Sequence, residues 1–139
     1  MAASERGLLA LVAKPRFLTA DLAFAVHERQ LAEHGGLGGV KDEGLLDSAI
    51  ARPLNKHAYD ERDLCALAAA YAFGIARNHP FNDGNKRTAW VMARLFLRLN
   101  GVVIQFDKAD AIRTMLALAS GNLEKEVLAD WFRTRVAPA

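Results

Sequence analysis

The sequence predicts an all-α, single-domain bundle of about six helices, and three observations predict it. Of its 139 residues, 26 are alanine and 52% are hydrophobic, a composition that favours packed helices. β-branched residues are thin outside Val102–Ile104. Apolar positions recur at helical spacing in segments that open on capping residues and close on Gly or Asn. With no repeat and no low-complexity linker, residues 1–139 read as one unit.

The elements follow in order. Thr19 is an N-cap, and Leu22, Val26 and Gln30–Leu31 carry a helix to His34. Gly35-Gly36-Leu37-Gly38-Gly39 breaks it, because four glycines in five residues make a permissive loop. Asp42 caps a short helix over Glu43–Ala51, which Arg52-Pro53 is expected to end. Asp60 and Asp63 resemble a capping box. Leu64, Leu67, Ala68, Tyr71, Ala72 and Ile75 then form one apolar face as far as Asn78. After a polar loop, Ala89, Met92, Leu95, Phe96 and Leu99 mark a strong helix that Asn100–Gly101 stops. Val102–Phe106 is expected to be a short strand. Asp107 caps a helix to Ser120, and Asn122 is expected to cap a last one whose Trp131 and Phe132 belong to the core.

Composition excludes several classes. A formal net charge of +2 carries no basic tail or stripe, so nucleic acid is not an expected partner. No run approaches the ~20 apolar residues of a membrane span, and Leu8–Ala13 is too short and weakly flanked for a signal peptide. A lone Cys65, read as a small buried hydrophobe, makes a reducing, cytoplasmic setting the expected one. His27 reads as a packing or surface residue, and His34 and His57 as surface loop residues.

Residues 79–88 need more thought. Pro80, Asn82, Asp83, Gly84 and Asn85 are turn formers, and a plain loop with Asn85 as the next cap would explain them. Lys86 and Arg87 do not fit that account. They fall in the first turn of the following helix, where the macrodipole is positive and each cation costs ~0.3–1 kcal/mol. Two cations beside free backbone N–H groups suit an anion, and Gly84 lets it approach the backbone. Asp83 would repel a lone phosphate unless a divalent cation such as Mg²⁺ lay between them. His79 adds an imidazole, a side chain suited to general-base work at neutral pH. Phe81, between them, is expected to anchor the loop in the core. The set points to phosphoryl or nucleotidyl transfer.

The string His79-Pro80-Phe81-Asn82-Asp83-Gly84-Asn85-Lys86-Arg87-Thr88 closely resembles the signature loop of the Fic/Doc (Fido) family, and more narrowly its death-on-curing branch of toxins from toxin–antitoxin pairs. The likeness extends to His27, Gly35-Gly36, Val40-Lys41-Asp42, Leu45–Ala49, Arg52-Pro53, Ala69–Tyr71 and Phe96–Gly101. It covers roughly residues 16–133 and leaves residues 1–15 as an N-terminal extension.

The resemblance implies a helical Fic/Doc-type domain with ATP as co-substrate and Mg²⁺ as cofactor. It makes His79 the base for the target hydroxyl and Asp83 the Mg²⁺ ligand. Gly84, Asn85, Lys86 and Arg87 become the nucleotide and phosphate contacts. Lys86 stands where adenylylating members usually carry Gly, and Trp90 where they often have a second Arg. Both imply transfer of the γ-phosphate of ATP to a Ser/Thr hydroxyl of a protein, elongation factor Tu for the family's toxin, which inhibits translation. Gly84 is the choice of the adenylylating members, where that toxin has Ala, and it keeps AMP transfer as an alternative. A catalytically silent binding module is the third reading. Ser120–Lys125 matches the family's inhibitory motif poorly, so inhibition is expected in trans from a small antitoxin with a disordered tail. Lys41 and Arg52 are candidates to position the target, with plain surface charge as the alternative.

Overall fold

The computed structural model describes residues 14–138, and Leu8–Ala13 lies outside them. Within this range are six helices: α1 (Ala20–His34), α2 (Glu43–Ala58), α3 (Leu64–Asn78), α4 (Asn85–Leu99), α5 (Lys108–Ala119) and α6 (Lys125–Arg133). Three starts are capped as the sequence predicts. The Thr19 hydroxyl accepts from Leu22 N–H at 3.2 Å, Asp42 from Leu45 N–H at 3.0 Å, and Asp107 from Asp110 N–H at 3.1 Å. No helix among the described residues is long and apolar enough to cross a membrane.

α3 is the axis of the bundle, with α2, α4, α5 and α6 packed on it. Alanines at 68, 69, 70, 72 and 76 are all buried and keep its neighbours close. Gly74 marks the tightest approach, since a Cβ there would lie 3.0 Å from Ala49 Cα on α2. Tyr71, Phe96, Phe81 and Phe132 are the largest fully buried side chains around this axis. The Tyr71 hydroxyl also secures the segment before α1, accepting from Leu18 N–H at 2.8 Å. Asn100 does the same one turn away. Its carboxamide accepts from Arg16 N–H at 2.8 Å and donates to Arg16 C=O at 3.0 Å.

Four local expectations are corrected. α2 runs through Pro53 to Ala58 rather than ending at Ala51. Leu46, Ala49, Ile50 and Pro53 form a buried stripe at i, i+3, i+4, i+7, and its packing on α3 offsets the missing Pro N–H. Val102–Phe106 is not a strand but a single antiparallel bridge, Ile104 with Val136. Two backbone hydrogen bonds, Gln105 N–H to Arg135 C=O and Ala137 N–H to Val103 C=O, flank that bridge among the described residues. Asp63, not Asp60, caps α3, accepting from Cys65 N–H at 2.8 Å while Asp60 sits in a left-handed turn. Asn122 closes α5 instead of opening α6, donating its N–H to Ala117 C=O at 2.8 Å, and Glu124 takes the N-cap position.

Cys65 is buried, and burial, reinforced by the charge of Asp63, pushes its thiol up to about 11. A helix N-terminus therefore does not activate it. Alkylation of native protein by iodoacetamide should be slow at neutral pH. Its rate should still climb through pH 10, where an ordinary thiol at 9.0 would have levelled off.

Candidate active site

The turn between α3 and α4 is built around Phe81, which is 1% exposed. The ring of His27, from α1, stacks on it at 3.8 Å with an interplanar angle of 7°. Asn85 holds the backbone of the same residue from both sides. Its Oδ1 accepts from Phe81 N–H at 3.0 Å and its Nδ2 donates to Phe81 C=O at 2.9 Å. Asn85 is thus the first residue of α4 and a brace for the turn, while the N-cap position falls to Gly84. With its side chain so engaged, Asn85 has its backbone N–H left to offer an anion.

Gly84 has φ +75°, and it supplies no side-chain cap. The first turn of α4 holds no acid, and Lys86 and Arg87 are both exposed there. Free N–H groups, the positive end of the helix dipole and two cations are therefore concentrated at one point. A Cβ on Gly84 would meet His27 Cδ2 at 3.6 Å, an ordinary contact. Within the protein the glycine answers a backbone angle rather than a close contact.

Asp83 lies one residue before this point with its carboxylate in solvent. Its Oδ1 accepts from Gly84 N–H at 2.8 Å, and its Oδ2 accepts from Leu37 N–H at 3.3 Å. These two bonds, aided by Arg87 and Lys86, hold the carboxyl below the usual carboxylate range. The side chain therefore stays charged at neutral and mildly acidic pH. His79 takes the left-handed C-cap position of α3, with φ 51°. Asn85 Nδ2 lies 3.4 Å from His79 Nδ1, a long contact that orients the exposed ring without tying it down.

Sequence reasoning missed two supports of this turn. The first is the glycine loop, which is a second wall as well as a break. Asn82 donates from Nδ2 to Gly38 C=O at 3.0 Å and from N–H to Gly39 C=O at 3.2 Å, and Lys41 N–H donates to Pro80 C=O at 2.8 Å. Gly36, at φ +124°, brings the chain so near that a Cβ would lie 2.7 Å from Asp83 Oδ2. The second is the bond made by His27, which packs as one of the two expected roles had it, is only 3% exposed, and has Nε2 2.7 Å from Asp83 C=O. A carbonyl can only accept, so the ring donates. A polar residue on the apolar side of α1 was the available signal.

These elements border a cavity of about 670 Å³. His79, Asp83, Gly84, Lys86 and Arg87 line its polar side. The apolar part of the lining comes mainly from α5, with Ala111, Ile112, Met115 and Leu116, together with Phe106 and Trp90, while Lys108 of α5 adds a third cation. Trp90 is held edge-on against Phe106 at 5.0 Å and Trp131 at 5.9 Å, so the wall is preformed. Gln30 and His34, at the end of α1 and not in a loop, also reach the cavity. Neither Lys41 nor Arg52 lines it. His57 belongs to α2, where it takes a hydrogen bond of 2.8 Å from Arg62.

Comparison with known proteins agrees with this geometry. Residues 17–97 match the model of the Fic/DOC family. The chain belongs to that family. It is 37% identical over 119 residues to a protein named Protein kinase doc from Escherichia phage P1, covering 85% of this chain and 94% of the relative. It is also 48% identical over 77 residues to a protein named Toxin Doc from Mycolicibacterium smegmatis, covering 52% of this chain and 58% of the relative. Both relatives are Doc proteins, so the likeness falls on the death-on-curing branch.

If His27 positions the turn between α3 and α4, His27→Ala should lower stability in urea unfolding by about 2 kcal/mol, through the lost stack and an unpaired Asp83 carbonyl. Amide exchange at Gly84 and Leu37 should speed up in the same variant. Unchanged exchange at both amides would show that the turn stands without His27.

Proposed function

We propose that this protein is a Doc-type toxin that transfers the γ-phosphoryl group of ATP to a Ser/Thr hydroxyl of a protein, with elongation factor Tu as the expected target. The carrying observation is that one cavity joins an uncapped, cation-bearing helix start to His79 and an ionised Asp83. A triphosphate suits the polar side, where the α4 N–H groups, Lys86 and Arg87 oppose its charge. The apolar side formed by Ile112, Met115 and Leu116 suits a nucleobase.

In the reaction so read, the target hydroxyl loses its proton to His79 as its oxygen bonds to the γ-phosphorus. The bond from that phosphorus to the β–γ bridging oxygen breaks, and ADP leaves. Arg87 and Lys86 oppose the charge that develops on the transferred group. Asp83 is a single carboxylate, and among the described residues no cluster of three or more His, Cys, Asp or Glu could hold a metal. That donor set fits Mg²⁺, which binds through one or two carboxylates and completes its shell with phosphate oxygens and water. When bound there, Mg²⁺ would supply charge neutralisation between Asp83 and the phosphates.

Phosphoryl transfer is favoured over AMP transfer by Lys86, which is exposed at the helix start, and by Trp90, which is packed among aromatic rings where a second cation would otherwise stand. Gly84 keeps AMP transfer as the second reading, although its φ of +75° is a separate reason for a glycine there. Supporting a toxin role are the names of both relatives. Control by a small antitoxin in trans follows from the same reading.

Incubation of a bacterial translation extract with the protein, Mg²⁺ and ATP should add a single phosphate to elongation factor Tu, seen by intact-mass spectrometry. His79→Ala should abolish it, and Asp83→Asn should reduce it by at least about 100-fold. An adenylyl adduct would replace the proposal with AMP transfer, and no adduct on any protein would leave a binding module.

A further inference from the structure

Three cations from three helices converge on one aromatic ring away from the cavity. The guanidinium carbons of Arg52 on α2 and Arg77 on α3 lie 5.3 and 5.1 Å from the centroid of Phe73, and Lys125 Nζ on α6 lies 5.6 Å from it. No two of these charged centres can therefore be more than about 11 Å apart. None of the four residues lines the catalytic cavity.

Among the described residues Arg52, Arg77 and Lys125 hold no carboxylate, as is also true of Arg94, Arg98 and Lys108; what sets these three apart is that they converge on one ring. Arg52 Nε is buried without a hydrogen-bond partner. The face of a phenyl ring attracts a cation by ~0.5–1 kcal/mol at an exposed site, but it accepts no conventional N–H bond and cancels no net charge. Lys125 also opens a nine-residue helix whose N-cap, Glu124, makes no side-chain hydrogen bond, so free backbone N–H groups add to the positive potential. Glu124 and Glu126 flank Lys125 in sequence, but among the described residues neither forms an ion pair with any of the three cations, which leaves those cations free for carboxylates from elsewhere.

We propose that this cluster docks an acidic segment of a protein partner, whose carboxylates pair with Arg52, Arg77 and Lys125 while an apolar side chain meets the half-buried edge of Phe73. A ring in the middle of the cluster, with cations contributed by three helices, matches several carboxylates along a peptide better than one compact phosphate. The surface lies outside the cavity, so docking there is independent of which group the cavity transfers.

The test is a titration of nucleotide-free protein with an oligoglutamate peptide, followed through the arginine Nε–Hε and Phe73 ring resonances. The Arg52 and Arg77 signals and the Phe73 ring should shift together, and raising the salt should weaken the effect. Arg77→Glu, at an exposed position, and separately Lys125→Glu should each weaken binding about tenfold or more. Lys125→Glu decides the matter if Arg77→Glu does not fold. Silent resonances at low salt, or binding indifferent to both reversals, would overturn the proposal. Equal shifts with inorganic phosphate alone would replace it with a small-anion site.

Discussion

The cavity exists because Phe81 is buried. The chain must reverse between α3 and α4, and a reversal at the surface has no inherent shape. Sinking one aromatic ring against His27 fixes the turn from below, and the carboxamide of Asn85 fixes its backbone from the side. Left-handed conformations at His79 and Gly84 bracket the anchored residue. With Phe81 pointing inward, His79 and Asp83 on either side of it are free to face solvent. The chemistry is displayed by residues whose neighbours are immobilised, which is how a loop holds functional groups in register.

The α4 start shows the cost of that display. A helix designed for stability would carry Ser or Asp at the cap and acids in its first turn. Here a glycine and two cations occupy those places, an unfavourable arrangement that the buried remainder of α4 sustains. Thr88, Ala89, Met92, Ala93, Phe96 and Leu97 are all buried along the helix, so the packed side offsets a frustrated end. The disagreement between local rules and the observed residues is itself the mark of function.

Much of this was legible in the sequence, and the failures have physical causes. Helix spacing located α1, α3, α4 and α5, and N-cap chemistry placed the starts of α1, α2 and α5, because amphipathic periodicity and capping are local. Pro53 misled because its local penalty was outweighed by a buried stripe visible only when α3 is in place. The strand at Val102–Phe106 failed because β propensity without a long partner yields a single bridge. Phe81 as an anchor, and Lys86 with Arg87 at the helix start, could be inferred from the string alone. The roles of Gly36 and His27 could not, since each depends on contacts with a residue 46 or more positions away. The apolar side of the cavity was equally hidden. Ile112 and Leu116 received no reading of their own within the helix that Asp107 caps, and they are half exposed even in the folded chain.

The distance in sequence between these parts sets an order of events during synthesis. His27 and Asp83 are 56 residues apart, and the α5 residues that complete the cavity come later still. A growing chain that has just passed Arg87 carries the imidazole, the carboxylate and both cations, but no wall opposite them. The site therefore assembles only when α5 has emerged and folded back over the α4 start.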